Sequence, residues 1–238
     1  GNKNNRVYWY AVLSIITWLR YVFNNKSKVM VLITSGISIV AMMLVKSSTA
    51  TIVAILVSVG FFYLTYKKQT NINMNSYGIL VIYVCITVLI LLGSTSLLKP
   101  FVEGVLHKDM TFTGRSIAWE RVLLLIASKP VFGWGVVDGE TATGLLKSIA
   151  FVNPHNQLLD CLWQGGIILV FILSLIMITI ASNITKIPNR SKRTGIQFVW
   201  IGLLIDMIFE VLLGTGATWI WLLLINHLYE FVYEREVS

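Results

Sequence analysis

The sequence predicts an all-α polytopic membrane protein with about seven transmembrane helices and one long extracytoplasmic loop. Only 13% of the 238 residues are charged, about half the roughly 25% usual in soluble domains, and the mean hydropathy is +0.76. The apolar residues form continuous runs close to the length that a helix needs to cross a bilayer, about 17–25 residues. Such runs favour helices over strands, in which apolar residues would alternate with polar ones. These proportions exclude a soluble globular domain and a disordered chain.

Seven runs are long enough, or nearly so, to span the membrane. Lys and Arg cluster after the first, third and fifth run, which predicts that these loops are cytoplasmic. The net charge of +8 is then the loop charge of a membrane protein and does not indicate a nucleic-acid partner. An outside start with Gly1 favours a single membrane domain, 1–238, that lacks N-terminal helices. The predicted spans are Val7–Phe23, Val29–Val45, Ala50–Tyr66, Ser76–Leu98, Asn156–Asn183, Gly195–Leu213 and Thr218–Tyr233.

The long loop, residues 99–155, lies on the outer side in this topology and carries the candidate chemistry. Ser116–Ser128 is predicted to be a short amphipathic or re-entrant helix that Lys129–Pro130 terminates. Arg115 sits at its N-terminal end, where free backbone N–H groups and a guanidinium suit a phosphate. The alternative is an arginine that reaches the lipid headgroups.

A second element begins the fifth span. Asn153 is predicted to cap this helix with Pro154 in its first position, which puts His155 in the first turn. A helix N-terminus disfavours a protonated imidazole, so His155 is a candidate neutral base. The alternative is a histidine that only caps and solvates the helix end. A polar stripe with a spacing of four residues follows, formed by Asn156, Asp160 and Gln164.

Two further polar groups stand out. Lys46 joins three hydroxyl residues, Ser48 among them, in a short outer loop that could hold a phosphate or a sugar or be a plain interfacial turn. Asp206 and Glu210 lie one turn apart on the sixth span, and His227 on the seventh span is a possible partner of Asp206. A structural pair, a substrate contact and a proton relay are all open for this second group.

Two cations and a base at one membrane face indicate reaction of an anionic, membrane-resident donor such as a lipid-linked diphosphate. The Cys, His and carboxylate residues show no zinc-binding spacing, and no Walker-type loop is present. The sequence therefore predicts no metal, nucleotide or other cofactor.

Residues 110–170 resemble a known family. TFTGRSIAWERVLLLIASKPVFGWG followed by FVNPHNQLLDCLWQGGIILV is similar to the C-terminal signature of the O-antigen ligase and polysaccharide polymerase superfamily. The resemblance implies a bacterial plasma-membrane fold of about twelve helices, of which this chain would lack five, with an extracytoplasmic site. It also implies glycosyl transfer from an undecaprenyl-diphosphate-linked glycan to an acceptor glycan or lipid, without metal or nucleotide.

The resemblance also implies residue roles. Arg115 matches the loop arginine that contacts the donor diphosphate, and His155 matches the histidine proposed to activate the acceptor hydroxyl. Lys46 stands where many members have arginine. Lysine keeps the positive charge but cannot form the two parallel hydrogen bonds that a guanidinium makes to a phosphate. The candidate substrate-binding residues are Lys46, Ser48, Asn156 and Asp160.

The motif fits two enzymes. One polymerises repeat units of a capsular polysaccharide or exopolysaccharide, and the other is a ligase that moves finished glycan to a lipid or protein. The Ile-, Asn- and Lys-rich composition indicates an AT-rich source without an outer membrane, which favours the polymerase. A transporter that uses Asp206, Glu210 and His227 as an ion path is a third reading, although the sequence shows no internal repeat. A non-catalytic scaffold is the fourth.

Overall fold

The computed structural model of the chain describes residues 13, 16–18, 20–21, 28–44, 48–66, 72–93, 115–147, 152–214 and 216–237. None of these residues forms a β-strand, so the predicted all-α class is confirmed. Besides helical residues between 13 and 21, they form α1 (Lys28–Leu44), α2 (Ser48–Tyr66), α3 (Ser76–Gly93), α4 (Arg115–Ser128), α5 (Gly139–Leu146), α6 (Gln157–Thr185), α7 (Arg190–Phe209) and α8 (Gly216–Val237).

The membrane-crossing potential of these helices differs. Among the described residues, α6 alone is long and apolar enough to span a bilayer by length and composition. The apolar helices Lys28–Leu44, Thr49–Phe61 and Ser76–Leu91 are shorter than that limit. The predicted first span lies mostly outside the described residues. The count of seven transmembrane helices therefore stays a prediction.

The bounds of α7 differ from the predicted sixth span. The helix begins earlier, at Arg190, because Asn189 caps it: Asn189 Oδ1 accepts the N–H of Lys192 at 3.1 Å. It ends at Phe209, before the predicted end at Leu213. Glu210 is therefore the first residue after the helix, and the prediction that it lies on the helix is wrong.

The chain divides into two compact units. Unit 1 comprises residues 1–80, 177–206 and 212–238. Within it, α2 and α7 approach closely at two glycines: a Cβ on Gly60 would lie 2.6 Å from the Phe198 ring, and one on Gly202 would lie 3.0 Å from Val57. Small residues allow such close helix packing in membrane proteins. Asn183 Nδ2 donates to Asn226 Oδ1 at 2.9 Å and so joins α6 to α8.

Unit 2 comprises residues 81–176 and 207–211 and holds the candidate site. α4 matches the predicted helix over Ser116–Ser128. The eight-residue helix α5 was not expected; Asp138 caps it by accepting the N–H of Thr141 at 2.8 Å. The buried core of the unit combines side chains of α4, α5 and the start of α6, namely Trp119, Val122, Ala142, Leu146, Leu159 and Trp163.

Candidate active site

His155 lies just before α6 in a left-handed backbone conformation. Its φ is +47°, which costs a residue with a side chain about 1–2 kcal/mol. Asn153 Oδ1 accepts the backbone N–H of His155 at 2.9 Å and so closes a turn around Pro154. Strain of this kind persists only where the surrounding structure holds it, and it clusters at functional sites.

The predicted start of this helix is wrong. The helix begins at Gln157, and its cap is Asn156, whose Oδ1 accepts the N–H of Leu159 at 3.0 Å. Pro154 belongs to the turn, because its fixed φ suits a turn as well as the first position of a helix. His155 therefore precedes the helix and does not lie in its first turn.

A carboxylate lies against the imidazole ring of His155. Nδ1 of His155 lies 3.0 Å from Oε2 of Glu210, and the Glu210 side chain is only 4% exposed while that of His155 is 20% exposed. The carboxylate can only accept a hydrogen bond, so it selects the tautomer with hydrogen on Nδ1. Nε2 then carries the lone pair that can take a proton, and the carboxylate stabilises the imidazolium that results.

The segment after α7 is held in place through Asn156. Nδ2 of Asn156 donates to the carbonyl oxygen of Ile208 at 2.9 Å, and the residue is fully buried. The Asn156 side chain thus ties the start of α6 to the end of α7, two residues from Glu210. Both of its polar atoms have bonds within the protein, which favours a positioning role.

The other members of the predicted Asp206 group belong to unit 1. Asp206 is buried on α7. His227 Nδ1 lies 3.1 Å from Glu230 Oε2 on the same helix, with both side chains 49% exposed. Glu210 and His227 thus belong to two separate histidine–glutamate pairs, of which one is buried and one is exposed.

The predicted polar stripe of α6 is confirmed in part by a direct bond. Gln164 Nε2 donates to Asp160 Oδ1 at 2.9 Å, and Asp160 is 7% exposed. Asp160 lies one helical turn after Asn156, whose carbonyl oxygen accepts the Asp160 N–H at 3.0 Å. The turn over residues 153–155 is called the histidine turn. Asp160 therefore extends the buried polar region from the histidine turn into α6.

The remaining predicted site residues are described only in part. Arg115 is the first residue of α4, as expected for an anion site at a helix N-terminus, and its side chain lies outside the described residues. Ser48 is the first residue of α2, and its side chain likewise lies outside. Lys46 lies wholly outside. Their roles stay predictions.

The histidine turn rests on the core of unit 2. Trp119 is 1% exposed, and its Nε1 donates to the carbonyl oxygen of Pro154 at 2.6 Å. Trp119 stands on α4, four residues after Arg115 and hence about one turn along the same helix. The helix α4 thus carries both the tryptophan that contacts the histidine turn and the predicted anion-binding arginine.

The first part of α6, which begins at Gln157, ends at a break in the helix where another backbone segment docks. We call this contact the joint. Gly166 interrupts α6 with φ +62° and ψ −159°. The turn after α4 fills this break. N–H groups of Trp134 and Gly135 donate to the carbonyls of Trp163 and Gln164 at 2.9 and 2.8 Å, while the N–H of Ile167 donates to Pro130 at 2.9 Å. The KPVFGWG turn and the QGGI step of the sequence are therefore two halves of one joint.

The sequence singles out Glu210 as a polar candidate, but it does not predict the pairing of Glu210 with His155, the role of Trp119 or this joint. A signal for Glu210 was present: in the charge-based topology, the end of the sixth span and His155 lie on the same outer side. Trp119 and the joint gave no such signal, because both act through backbone carbonyls that any residue supplies.

Among the described residues, no group of three or more His, Cys, Asp or Glu could hold a metal ion. The family described as O-antigen ligase matches residues 33–174 of the chain, more than half of its length. The match includes the α4 helix, the joint and the histidine turn, while Glu210 follows it. No curated protein and no solved structure matches the chain significantly.

Proposed function

The chain belongs to the O-antigen ligase family, and we propose that it transfers glycan from an undecaprenyl-diphosphate carrier to an acceptor hydroxyl without a metal ion. Proteins of this family are bacterial inner-membrane proteins that act on lipid-linked glycans. The reaction proposed for this chain joins repeat units of a capsular polysaccharide or exopolysaccharide. The observation that carries the proposal is the strained His155 held 3.0 Å from the buried Glu210.

His155 is the general base of the proposed reaction. The acceptor hydroxyl gives its proton to Nε2, and its oxygen forms the new bond to the anomeric carbon of the donor sugar. The bond from that carbon to the diphosphate oxygen breaks, and its electron pair leaves with undecaprenyl diphosphate. Glu210 keeps the required tautomer and stabilises the positive charge that develops on the ring.

Charge that grows on the leaving diphosphate needs a cation. Arg115 at the start of α4 is proposed for this role, since a guanidinium and the N-terminus of a helix both favour an anion. Lys46 would add a point charge and Ser48 a hydroxyl. Asp160 is proposed to bind a sugar hydroxyl, and Asn156 to hold the histidine turn.

The proposed topology follows the charge of the loops. Residues 1–238 form one membrane domain of about seven helices, as part of a fold of about twelve. The loop over residues 99–155 and the site face the extracytoplasmic side. Lipid-linked donor and acceptor reach the site from the adjacent leaflet.

A comparison of the two histidine–glutamate pairs tests the function. Cells that carry His155→Ala are compared with cells that carry His227→Ala, and polysaccharide length is read on a gel. Loss of a general base lowers the rate about 10²–10⁴-fold, so His155→Ala should abolish the long ladder and accumulate single lipid-linked units. His227→Ala serves as the matched control and should keep the ladder.

The glutamates provide the second comparison. Glu210→Gln offers an amide that can donate to Nδ1 and so reverse the tautomer, while Glu230→Gln changes only the exposed pair. Transfer by reconstituted protein should fall at least about 10-fold for the first variant and stay unchanged for the second. Equal rates for both glutamine variants would contradict a base oriented by Glu210.

The same gel separates the two enzymes. A ladder of normal length that stays on the carrier lipid in His155→Ala would assign the ligase reaction. A normal ladder on its normal acceptor would remove His155 from catalysis and overturn the proposal.

A further inference from the structure

The segment between α4 and α5 is a loop that exposes large apolar side chains. Residues 130–137, the apolar turn, carry no charge and lie between Lys129 and Asp138. Phe132 is 76% exposed and Val136 is 96% exposed. Large apolar side chains this exposed in one short segment indicate a contact with an apolar partner.

Five backbone polar groups of the apolar turn are paired within the protein. The N–H groups of Gly133, Trp134 and Gly135 donate within the protein, and the carbonyls of Pro130 and Val131 accept from Ile167 and Ile168. Pro130 has no N–H to satisfy. Irregular backbone is excluded from hydrocarbon because its polar groups lack partners there, and this pairing reduces that obstacle.

The joint also connects the apolar turn to the apolar outer face of α6. Directly after the break, Ile167 is 60% exposed, and exposed apolar residues continue along this face at Ile168, Phe171 and Ile172. The part of α6 after Gly166 has 19 residues (Ile167–Thr185), hence a length of about 28 Å, close to the roughly 30 Å hydrocarbon core. Where this part of α6 spans the hydrocarbon core, Gly166 and the turn docked on it lie at the boundary of that core.

An interfacial anchor lies at the base of the apolar turn. The ammonium of Lys129 sits 4.2 Å from the centre of the Trp134 ring, and Trp134 Nε1 donates to the carbonyl of Leu125 at 2.9 Å. Tryptophan and lysine favour the headgroup level of a bilayer, where the ring is half immersed and the ammonium stays hydrated.

From these four observations we propose that the apolar turn is inserted into the bilayer leaflet beside the His155 turn, with Phe132 and Val136 against lipid acyl chains. The partner is the lipid surface itself. This inference goes beyond the proposed glycosyl transfer and does not depend on it. Its consequence is that the joint fixes the depth of the site relative to the membrane.

A fluorescent probe tests the insertion. Phe132→Cys is made in a Cys85→Ala background, since Cys85 is exposed and Cys161 is buried, and is labelled with an environment-sensitive dye. The whole chain is placed in nanodiscs of phosphatidylcholine and phosphatidylglycerol, with or without nitroxide on the upper acyl chain. Ile172→Cys on the outer face of α6 is the lipid-facing reference, and Glu140→Cys on α5 is the exposed polar reference.

The expected result is blue-shifted emission at Phe132→Cys and quenching by the acyl nitroxide comparable to that at Ile172→Cys. Glu140→Cys should show neither. Val136→Cys provides an independent second probe with the same expectation. Water-like emission at both turn positions would overturn the proposal. Blue-shifted emission that the lipid nitroxide does not quench would place the turn against protein and would overturn it as well.

Discussion

Gly133 is the position at which a single methyl group should open the joint between the apolar turn and α6. A Cβ on Gly133 would lie 2.5 Å from the carbonyl carbon and oxygen of Gln164 and 2.6 Å from the nitrogen of Gly165. These are backbone atoms of α6 and cannot rotate away. The Gly133→Ala variant must therefore move the turn off the break.

The magnitude has two parts. Gly133 has φ +69°, and this conformation costs alanine about 1–2 kcal/mol. Separation of the turn breaks at least the two bonds that Trp134 and Gly135 donate, each worth a net of about 0.5–1.5 kcal/mol. The free energy of unfolding should thus fall by about 2–5 kcal/mol.

Substitutions at two other glycines separate the conformational cost from the loss of the hydrogen bonds. Gly135 has φ +79° and nothing within 4 Å of its Cβ position, so Gly135→Ala carries the conformational cost alone. Gly144 in α5 has an ordinary helical φ and open space, so Gly144→Ala should stabilise by about 0.5–1 kcal/mol. Thermal unfolding in detergent gives the order, and hydrogen exchange at the Trp134 amide reports the joint directly. If Gly133→Ala loses no more stability than Gly135→Ala and keeps the Trp134 amide protected, the close approach is refuted.

Three further changes probe the support of the site. Trp119→Phe leaves the buried carbonyl of Pro154 without its donor, so unfolding stability should fall by about 1–3 kcal/mol; a thermal midpoint equal to wild type would contradict the bond. Asn156→Ala removes the cap of α6 and should cost about 0.5–2 kcal/mol and lower the transfer rate, whereas unchanged calorimetry and transfer would argue against its positioning role. The bond from the Thr141 N–H lowers the pKa of Asp138, so ionised Asp138 stabilises α5 at neutral pH. This stabilisation is complete above the ordinary aspartate pKa of about 4 and is lost as the pH falls through the lower pKa of Asp138 in the folded protein. The free energy of unfolding is measured against pH for the wild type and for Asp138→Asn, whose side chain does not titrate. The two curves should converge as the pH falls through that lower pKa.

Local signals made the helices predictable and left their interruptions hidden. α4 ends where Lys129–Pro130 predicts, because a proline acts on its own segment. The apolar run of α6 continues through Gly165–Gly166, so hydropathy predicts one unbroken helix. The break forms because backbone groups of a distant turn replace the helix bonds, and no local pattern records that exchange.

The site also has one part that local sequence signals predict and one part that they do not. His155 and Asn156 were found from residue type and position, although the Asn-Pro-His-Asn segment fits two helix starts and the expected one is wrong. The structure selects the other because His155 takes a left-handed φ while Glu210 and Asn153 hold it. The pairing of His155 with Glu210 spans 55 positions of sequence. Periodicity and caps act over a few residues and could not predict it.

The location of Glu210 after the matched segment has a consequence for reading related sequences. The segment over residues 33–174 carries the histidine, while the carboxylate that lies against it follows outside the segment. A relative can therefore match the whole family segment and still lack the carboxylate. The histidine–glutamate pair is recognised only when the residue that follows α7 is read together with the family motif.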